Sequence, residues 1–322
     1  MGLDSVALER MIRVGVVFPG QGSQAIGMGG AIAEHPVGAD LFRRAQRVLG
    51  YDLLAIVRDG PEEKLRETRY SQPAIYVVNY ALAAAAEGLI AAASAGHSFG
   101  EYCSLTLAAS LTFEDALGLV HERGLAMQAA AEVTPGAMVA ILGLEIGAVR
   151  IAVAQAGSVG RVRLANFNAP AQIVVSGDRD AVARAGELAT AAGAKRVVPL
   201  NVSGAWHSEL MAPARERFAP FVARARIALP RFPVISNVDA QPYRDVATIR
   251  TNLVRSLTEE VLWHATAERL LREGLDLVVE FGGSAVLAPL TRRLPGAPAT
   301  LHVGDEKGLA KLGSSLAAGV SA

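Results

Sequence analysis

One cysteine, Cys103, in 322 residues rules out an intramolecular disulfide. Such sparing use fits a reducing compartment, and the thiol reads as a small buried helix residue rather than a reactive centre. Charge of one sign is not in excess: 31 Lys and Arg stand against 31 Asp and Glu. No global field therefore draws the chain to nucleic acid or to an anionic membrane. Long apolar runs are missing too. The best stretch, Ala81–Ala95, is Ala-rich and broken by Glu87, too short and too weak to span a bilayer. Asp4, Glu9 and Arg10 precede only the short run Val14–Phe18, which argues against a secretory leader. The expectation is a cytoplasmic protein with no membrane or nucleic-acid partner.

At this length the chain can build one large domain, or a large and a small one, with ample core. Val14–Phe18 is β-branched and ends at Pro19-Gly20, which predicts a buried strand followed by a loop. Pro73 to about Ala86 has helical character, and Ala91–Gly96 is a weaker strand candidate. The pattern turns helical again from Glu101. Phe113, Ala116, Leu117 and Val120 then fall on one face of a helix reaching about Glu132, with Thr112 as its N-cap. Strands alternating with helices indicate an α/β domain with a mostly parallel sheet.

Residues 135–202 read differently. Ala137–Gly143 is a strand, Ile146–Gln155 a helix, and Val162–Phe167 and Gln172–Ser176 are strands. Asp178–Ala192 is a second helix and Lys195–Asn201 a final strand. That βαββαβ order is the ferredoxin-like arrangement, here an inserted subdomain between hinges at Pro135-Gly136 and Ser203-Gly204. Residues 1–134 and 203–322 make up the large domain, with further strands at Pro233–Asn237 and Leu277–Phe281 and a helix from about Ala285.

Gly96-His-Ser-Phe-Gly100 is a G-x-S-x-G, the spacing of a serine raised on a sharp turn between a strand and a helix. A serine hydroxyl needs a base and oxyanion donors to act as a nucleophile. Of the six histidines, His97 adjoins Ser98 and is expected to pack beneath the turn. His207 lies in Gly-Ala-Trp-His-Ser, where the chain re-enters the large domain, and His302 sits near the C-terminus. Spacing leaves His207 and His302 as rival bases. Arg123 reads either as a surface cation paired with a carboxylate such as Glu122, or as a bidentate clamp on a substrate carboxylate. Phe18-Pro-Gly-Gln-Gly-Ser-Gln24 has no third glycine in register and no Lys-Ser/Thr, so it is not a nucleotide loop. A strand-to-loop junction of this kind can instead present a backbone N–H to an oxyanion.

Taken together, these motifs resemble the malonyl-CoA:acyl carrier protein transacylases, most closely the free-standing, trans-acting acyltransferases of polyketide pathways. The match runs from about residue 14 to 295. It includes Phe18–Gln24, Gln72-Pro-Ala, Gly96–Tyr102, Arg123-Gly with Met127-Gln128, Ala165–Gln172, Ala205-Trp-His-Ser, Ser236-Asn-Val and Glu280-Phe-Gly. The resemblance implies an α/β-hydrolase-like large domain with the inserted ferredoxin-like subdomain. It implies ping-pong transfer of a malonyl group from malonyl-CoA to the phosphopantetheine thiol of an acyl carrier protein, or of carrier domains of a polyketide synthase, in polyketide or fatty-acid synthesis. Ser98 would be the nucleophile, His207 its base, and the backbone N–H groups of Gln21 and Phe99 the oxyanion hole. Arg123 would hold the malonyl carboxylate, Asn168 would line the acyl pocket, and the carbonyl of Ser256 would orient His207. The reaction calls for no bound cofactor and no metal, and a monomer is the default. Carrier proteins of this kind are acidic, so some of the abundant arginines would form the docking surface, with Arg292 and Arg293 as candidates.

Several positions depart from the family pattern. Ser256 stands where Gln is usual, Glu260 where Pro is common, and Gly283-Ser284 where Pro-Gly is usual. Trp206 occupies a place often held by Phe in malonyl-selective relatives and by Ser in methylmalonyl-selective ones. These changes motivate the alternative of a same-fold acyltransferase or acyl hydrolase acting on a non-malonyl group carried by acyl carrier proteins. Two further readings are an ordinary α/β-hydrolase esterase, which would use His302 and an HGGG-type loop that is absent, and a non-catalytic carrier-binding scaffold.

Overall fold

The computed structural model describes residues 12–318, so Asp4, Glu9 and Arg10 lie outside the described residues, as do both ends of the expected large domain. Among the described residues the strands are β1 (Val14–Phe18), β2 (Ala91–Gly96), β3 (Ala137–Leu142), β4 (Val162–Ala169), β5 (Gln172–Gly177), β6 (Arg196–Pro199), β7 (Val234–Ile235), β8 (Leu277–Phe281) and β9 (Ala299–Val303). They form two sheets. The first, ordered β7-β2-β1-β8-β9, is wholly parallel. The second, ordered β4-β5-β3-β6, is antiparallel and carries the helices Ile146–Ala156 and Arg179–Ala191.

Every residue of β1 is buried, as a central parallel strand covered on both faces requires. Its side chains alternate between two cores. Val16 and Phe18 join Tyr76, Phe99, Phe218 and Phe281 on one face, while Val17 packs with Trp263, Leu270 and Leu287 on the other. The antiparallel sheet has its own core of Val139, Ile141, Ile173 and Val175 beneath Val149 and Val182. It is also stitched to the rest of the chain. Val261 N–H donates to the carbonyl of Ala165 at 2.8 Å, and Phe167 N–H to that of Val261 at 2.9 Å.

Two expectations change in detail. The helix expected from Pro73 begins at Thr68, because Tyr70 and Ser71 already donate to the carbonyl of Glu67 and close a turn ahead of the proline. The helix expected from Ala285 is the short Ala288–Thr291. The backbone before it is gathered by the Glu280 carboxylate, which accepts from the N–H groups of Val286, Leu287 and Ala288 at 2.7–2.8 Å. Among the described residues no helix is long and apolar enough to cross a membrane.

The turn after β2 depends on two close backbone approaches. A Cβ at Gly96 would lie 2.0 Å from the carbonyl carbon of Gly100, and one at Gly100 would lie 2.4 Å from the carbonyl oxygen of Phe18. Neither neighbour is a side chain that can swing aside. Gly96→Ala is therefore expected to destabilise the fold by at least about 3 kcal/mol. By contrast Gly118, inside the helix Phe113–Val133, has nothing within 4 Å of a built Cβ. Gly118→Ala should stabilise by about 0.5–1 kcal/mol. Thermal denaturation of the two variants checks both signs.

Candidate active site

Ser98 sits between β2 and the helix Gly100–Leu107 with φ of 52°, a left-handed conformation rare for a residue bearing a Cβ. The turn is seated on β1 through His97 N–H, which donates to the carbonyl of Phe18 at 2.9 Å. Ser98 Oγ lies 2.9 Å from His207 Nε2. His207, only 4% exposed, also has a positive φ, of 59°. Its turn is closed by Ser208 Oγ, which donates to the carbonyl of Ala205 at 2.6 Å and accepts from Leu210 N–H.

The other ring nitrogen of His207 fixes its tautomer. Nδ1 faces two acceptors, the carbonyls of Ser256 at 2.8 Å and Glu259 at 3.2 Å. It must therefore carry the proton, which leaves the Nε2 lone pair toward the serine hydroxyl. Burial is the chief reason the imidazole is held down to about 3, with the Arg123 charge and His97 adding to the effect and the two carbonyls opposing it. The ring is neutral, and hence a proton acceptor, at any pH near neutrality.

Arg123 projects from the helix Phe113–Val133 into the same space. Gly124 lets this helix approach closely, since a Cβ there would lie 2.9 Å from the carbonyl of Thr68. The guanidinium is fully buried and donates to Gln72 Oε1 at 2.9 Å and to Ser98 Oγ at 3.3 Å. Its Nε has no partner, and among the described residues no carboxylate lies within ion-pair distance. Burial lowers its pKa to about 10, so it remains a cation. A buried charge satisfied only by neutral groups is costly unless an anion joins it. The surface-cation reading of Arg123 fails here.

Ser98, His207, Arg123, Gln21 and Trp206 all line one cavity of about 380 Å³, together with Gln72, Met127, Met138 and Asn166. Among the described residues no hydrogen bond within the protein engages the backbone N–H of Gln21 or Phe99. The Trp206 indole is buried on the wall, its Nε1 without a partner, and its outer ring edge packs so tightly that a Cβ at Gly204 would lie 2.6 Å away. A larger surface groove, lined in part by Arg44, Tyr80, Phe113 and Arg250, holds none of these groups.

Other expected residues are placed elsewhere. Asn168 is not on the cavity wall: its Oδ1 lies 2.9 Å from His97 Nε2 beneath the turn, and Asn166, two residues earlier, takes the wall position. His97 borders the cavity as well as bonding Asn168, and packs against Trp263 with ring centroids 5.7 Å apart. Ser256 meets the site only through its carbonyl, its hydroxyl being turned to the carbonyl of Leu253 at 2.9 Å. His302, on β9, is held by the carbonyl of Gly282 at 2.8 Å and takes no part in the cavity. Arg292 and Arg293 are exposed and off the cavity wall.

A further group reaches the site without a role that its sequence motif reveals. Asn237, just after β7, brackets the Ser98 backbone, and Glu101 and Tyr243 stand behind it. Burial raises Glu101 to about 7 against the hydrogen bonds it accepts.

The depressed value of His207 has a measurable consequence. Between its ordinary 6.5 and about 3, the unfolded chain binds a proton that the folded chain refuses. This contribution to stability is complete above about pH 6.5 and is lost as pH falls toward 3. His97, half-buried and also lowered by desolvation, acts with the same sign. The unfolding free energy of His207→Asn, from denaturant titrations, should therefore fall less steeply than the parent's on acidification from pH 6.5 to 4, by up to about 1.4 kcal/mol per pH unit. Parallel slopes would assign the acid sensitivity to other groups.

Known proteins share both this sequence and this architecture. A malonyl CoA-acyl carrier protein transacylase of Salmonella typhimurium is 40% identical over 288 residues, 88% of this chain and 93% of its own. The polyketide biosynthesis protein ThaF of Burkholderia thailandensis is 41% identical over 283 residues, which span 86% of this chain and 24% of that protein. A solved type II polyketide synthase malonyl-transacylase, in complex with its acyl-carrier protein, superposes with a TM-score of 0.91 at 38% identity. The match covers 94% of this chain and 99% of that one. The family model for the acyl transferase domain matches residues 16–293. The chain belongs to the acyl transferase domain family.

Proposed function

We propose that this chain is a malonyl-CoA:acyl carrier protein transacylase acting through a malonyl-serine intermediate. The observation that carries this reading is the convergence on Ser98 Oγ of a neutral imidazole at 2.9 Å and a buried, carboxylate-free guanidinium at 3.3 Å. The first makes the hydroxyl a nucleophile. The second supplies a site for an anion beside it, which an ordinary ester substrate would leave empty.

In the first half-reaction His207 Nε2 takes the Ser98 proton as Oγ attacks the thioester carbonyl. The unengaged N–H groups of Phe99 and Gln21 receive the oxyanion, a donor pair of the kind worth about 3–4 kcal/mol each at the transition state. The C–S bond breaks and the CoA sulfur leaves with the proton from His207. The Arg123 guanidinium, offering Nε and its remaining N–H groups, holds the malonyl carboxylate throughout. In the second half the phosphopantetheine thiol of the carrier protein gives its proton to His207 and attacks the acyl-serine, and Ser98 recovers the proton as it leaves. The Trp206 indole on the wall crowds a substituent on the α-carbon and favours unsubstituted malonyl. CoA and carrier-bound phosphopantetheine are substrates in this scheme, with no resident cofactor. A monomer working in the cytoplasm completes the reading, with Arg292 and Arg293 part of the surface offered to an acidic carrier protein. A neutral acyl chain would leave Arg123 unpaired, which weighs against the non-malonyl alternative.

Intact-mass measurement after mixing with malonyl-CoA should show one malonyl adduct, lost in Ser98→Ala. Absence of an adduct with every short acyl-CoA would sink the reading. Arg123→Ala should slow malonyl loading about 10- to 150-fold more than acetyl loading, the equivalent of about 1.5–3 kcal/mol for a charged hydrogen-bonded contact. Equal losses for the two acyl groups would remove the clamp from the mechanism.

A further inference from the structure

The Ser98–Phe99 peptide is trans and planar, so the direction of the Phe99 N–H is set by whatever holds the Ser98 carbonyl on the opposite edge. That carbonyl accepts from Asn237 Nδ2 at 3.1 Å, and from Glu101 N–H at 3.2 Å within the turn itself. The same Asn237 amide accepts, through Oδ1, from Ser98 N–H at 3.1 Å. One side-chain amide thus grips both edges of the left-handed residue that bears the nucleophile.

An amide can do this in only one orientation, and the surroundings dictate it. Glu101 Oε2 accepts from Asn237 Nδ2 and, at 3.2 Å, from Asn237 N–H. Its other oxygen accepts from the Tyr243 hydroxyl. Flipped, Asn237 would turn Oδ1 onto a buried carboxylate and onto a carbonyl, and would leave the Ser98 N–H facing an NH₂ group. The carboxylate therefore sets the amide, and the amide sets the peptide plane.

Resting on the acyl-serine reading above, we infer that Asn237 is a positioning residue for the oxyanion hole, with Glu101 and Tyr243 fixing its orientation. It touches neither substrate nor the reacting atoms. Its effect is to keep the Ser98 carbonyl turned away from the cavity, so that the Phe99 N–H is aimed at the developing oxyanion before substrate arrives.

The test compares Asn237→Asp with Asn237→Ala in acylation of Ser98 by malonyl-CoA and by p-nitrophenyl acetate. Asp has the shape of Asn but no donor, and it sets a second carboxylate against Glu101 and the Ser98 carbonyl. It should lower kcat about 100-fold, or about 2.7 kcal/mol, with KM within twofold. Ala, which only removes the grip, should cost about tenfold. Tyr243→Phe, a milder change should the Asp variant not fold, should lower kcat three- to tenfold with KM unchanged. If Asp is as mild as Ala, or if the losses appear in KM while kcat stays within threefold, Asn237 merely fills space and the inference is overturned. The activated ester needs neither Arg123 nor a carrier protein. Failure of malonyl loading alone therefore counts against the substrate reading, and an unchanged ester rate in all three variants counts against the role of Asn237. A parent acylated by neither ester overturns both.

Discussion

Left-handed backbone at two residues with full side chains, Ser98 at φ 52° and His207 at φ 59°, is the constraint around which this site is organised. Each such residue costs on the order of 1–3 kcal/mol and persists only where its surroundings over-determine it. At Ser98 those surroundings are glycines packed against backbone on either side, and an asparagine holding the N–H and the carbonyl at once. At His207 they are a serine-closed turn and two carbonyls aligned on Nδ1. The strain throws both side chains forward, out of the paths of the elements that carry them, and lets residues 109 positions apart meet.

Electrostatics at the site follow from burial more than from pairing. Desolvation holds the imidazole neutral, lowers the guanidinium and raises the carboxylate behind the turn, all in one small region. The negative charge that would ordinarily neutralise Arg123 is withheld, while Glu101 is occupied with backbone and side-chain donors. The acid behind the turn is thus committed to its own donors, and Arg123 is left without a carboxylate partner.

Much of this was readable from the chain because it is local. The G-x-S-x-G turn declares itself through Gly96 and Gly100, whose missing Cβ atoms are required by contacts to neighbouring backbone. The βαββαβ run from Ala137 to Pro199 is read off alternation and helix period because each element packs on the next. What stayed closed depends on long-range closure. Spacing could not separate His207 from His302, since only the parallel sheet decides which histidine reaches Ser98. Arg123 looks like any helix cation until the approach at Gly124 buries it. Asn237 and Tyr243, some 140 residues beyond the turn they support, carry no local sign of that role. Asn168 sits off the cavity wall because its amide is engaged by His97, a pairing no local pattern announces.

The hydrogen bonds between Val261 and the edge strand β4 tie the antiparallel sheet to the stretch that presents Ser256 and Glu259 to His207. Arg163, on that same strand, adds a donor to the carbonyl of Thr258 at 2.8 Å. The inserted sheet is thus a wall of the cavity and also a mount for His207. A chimera that exchanged residues 135–202 for a relative's, to import another acyl preference, would carry away one half of that mount and strand the other. The natural unit of exchange is the insertion together with residues 256–261, a module discontinuous in sequence and continuous in space.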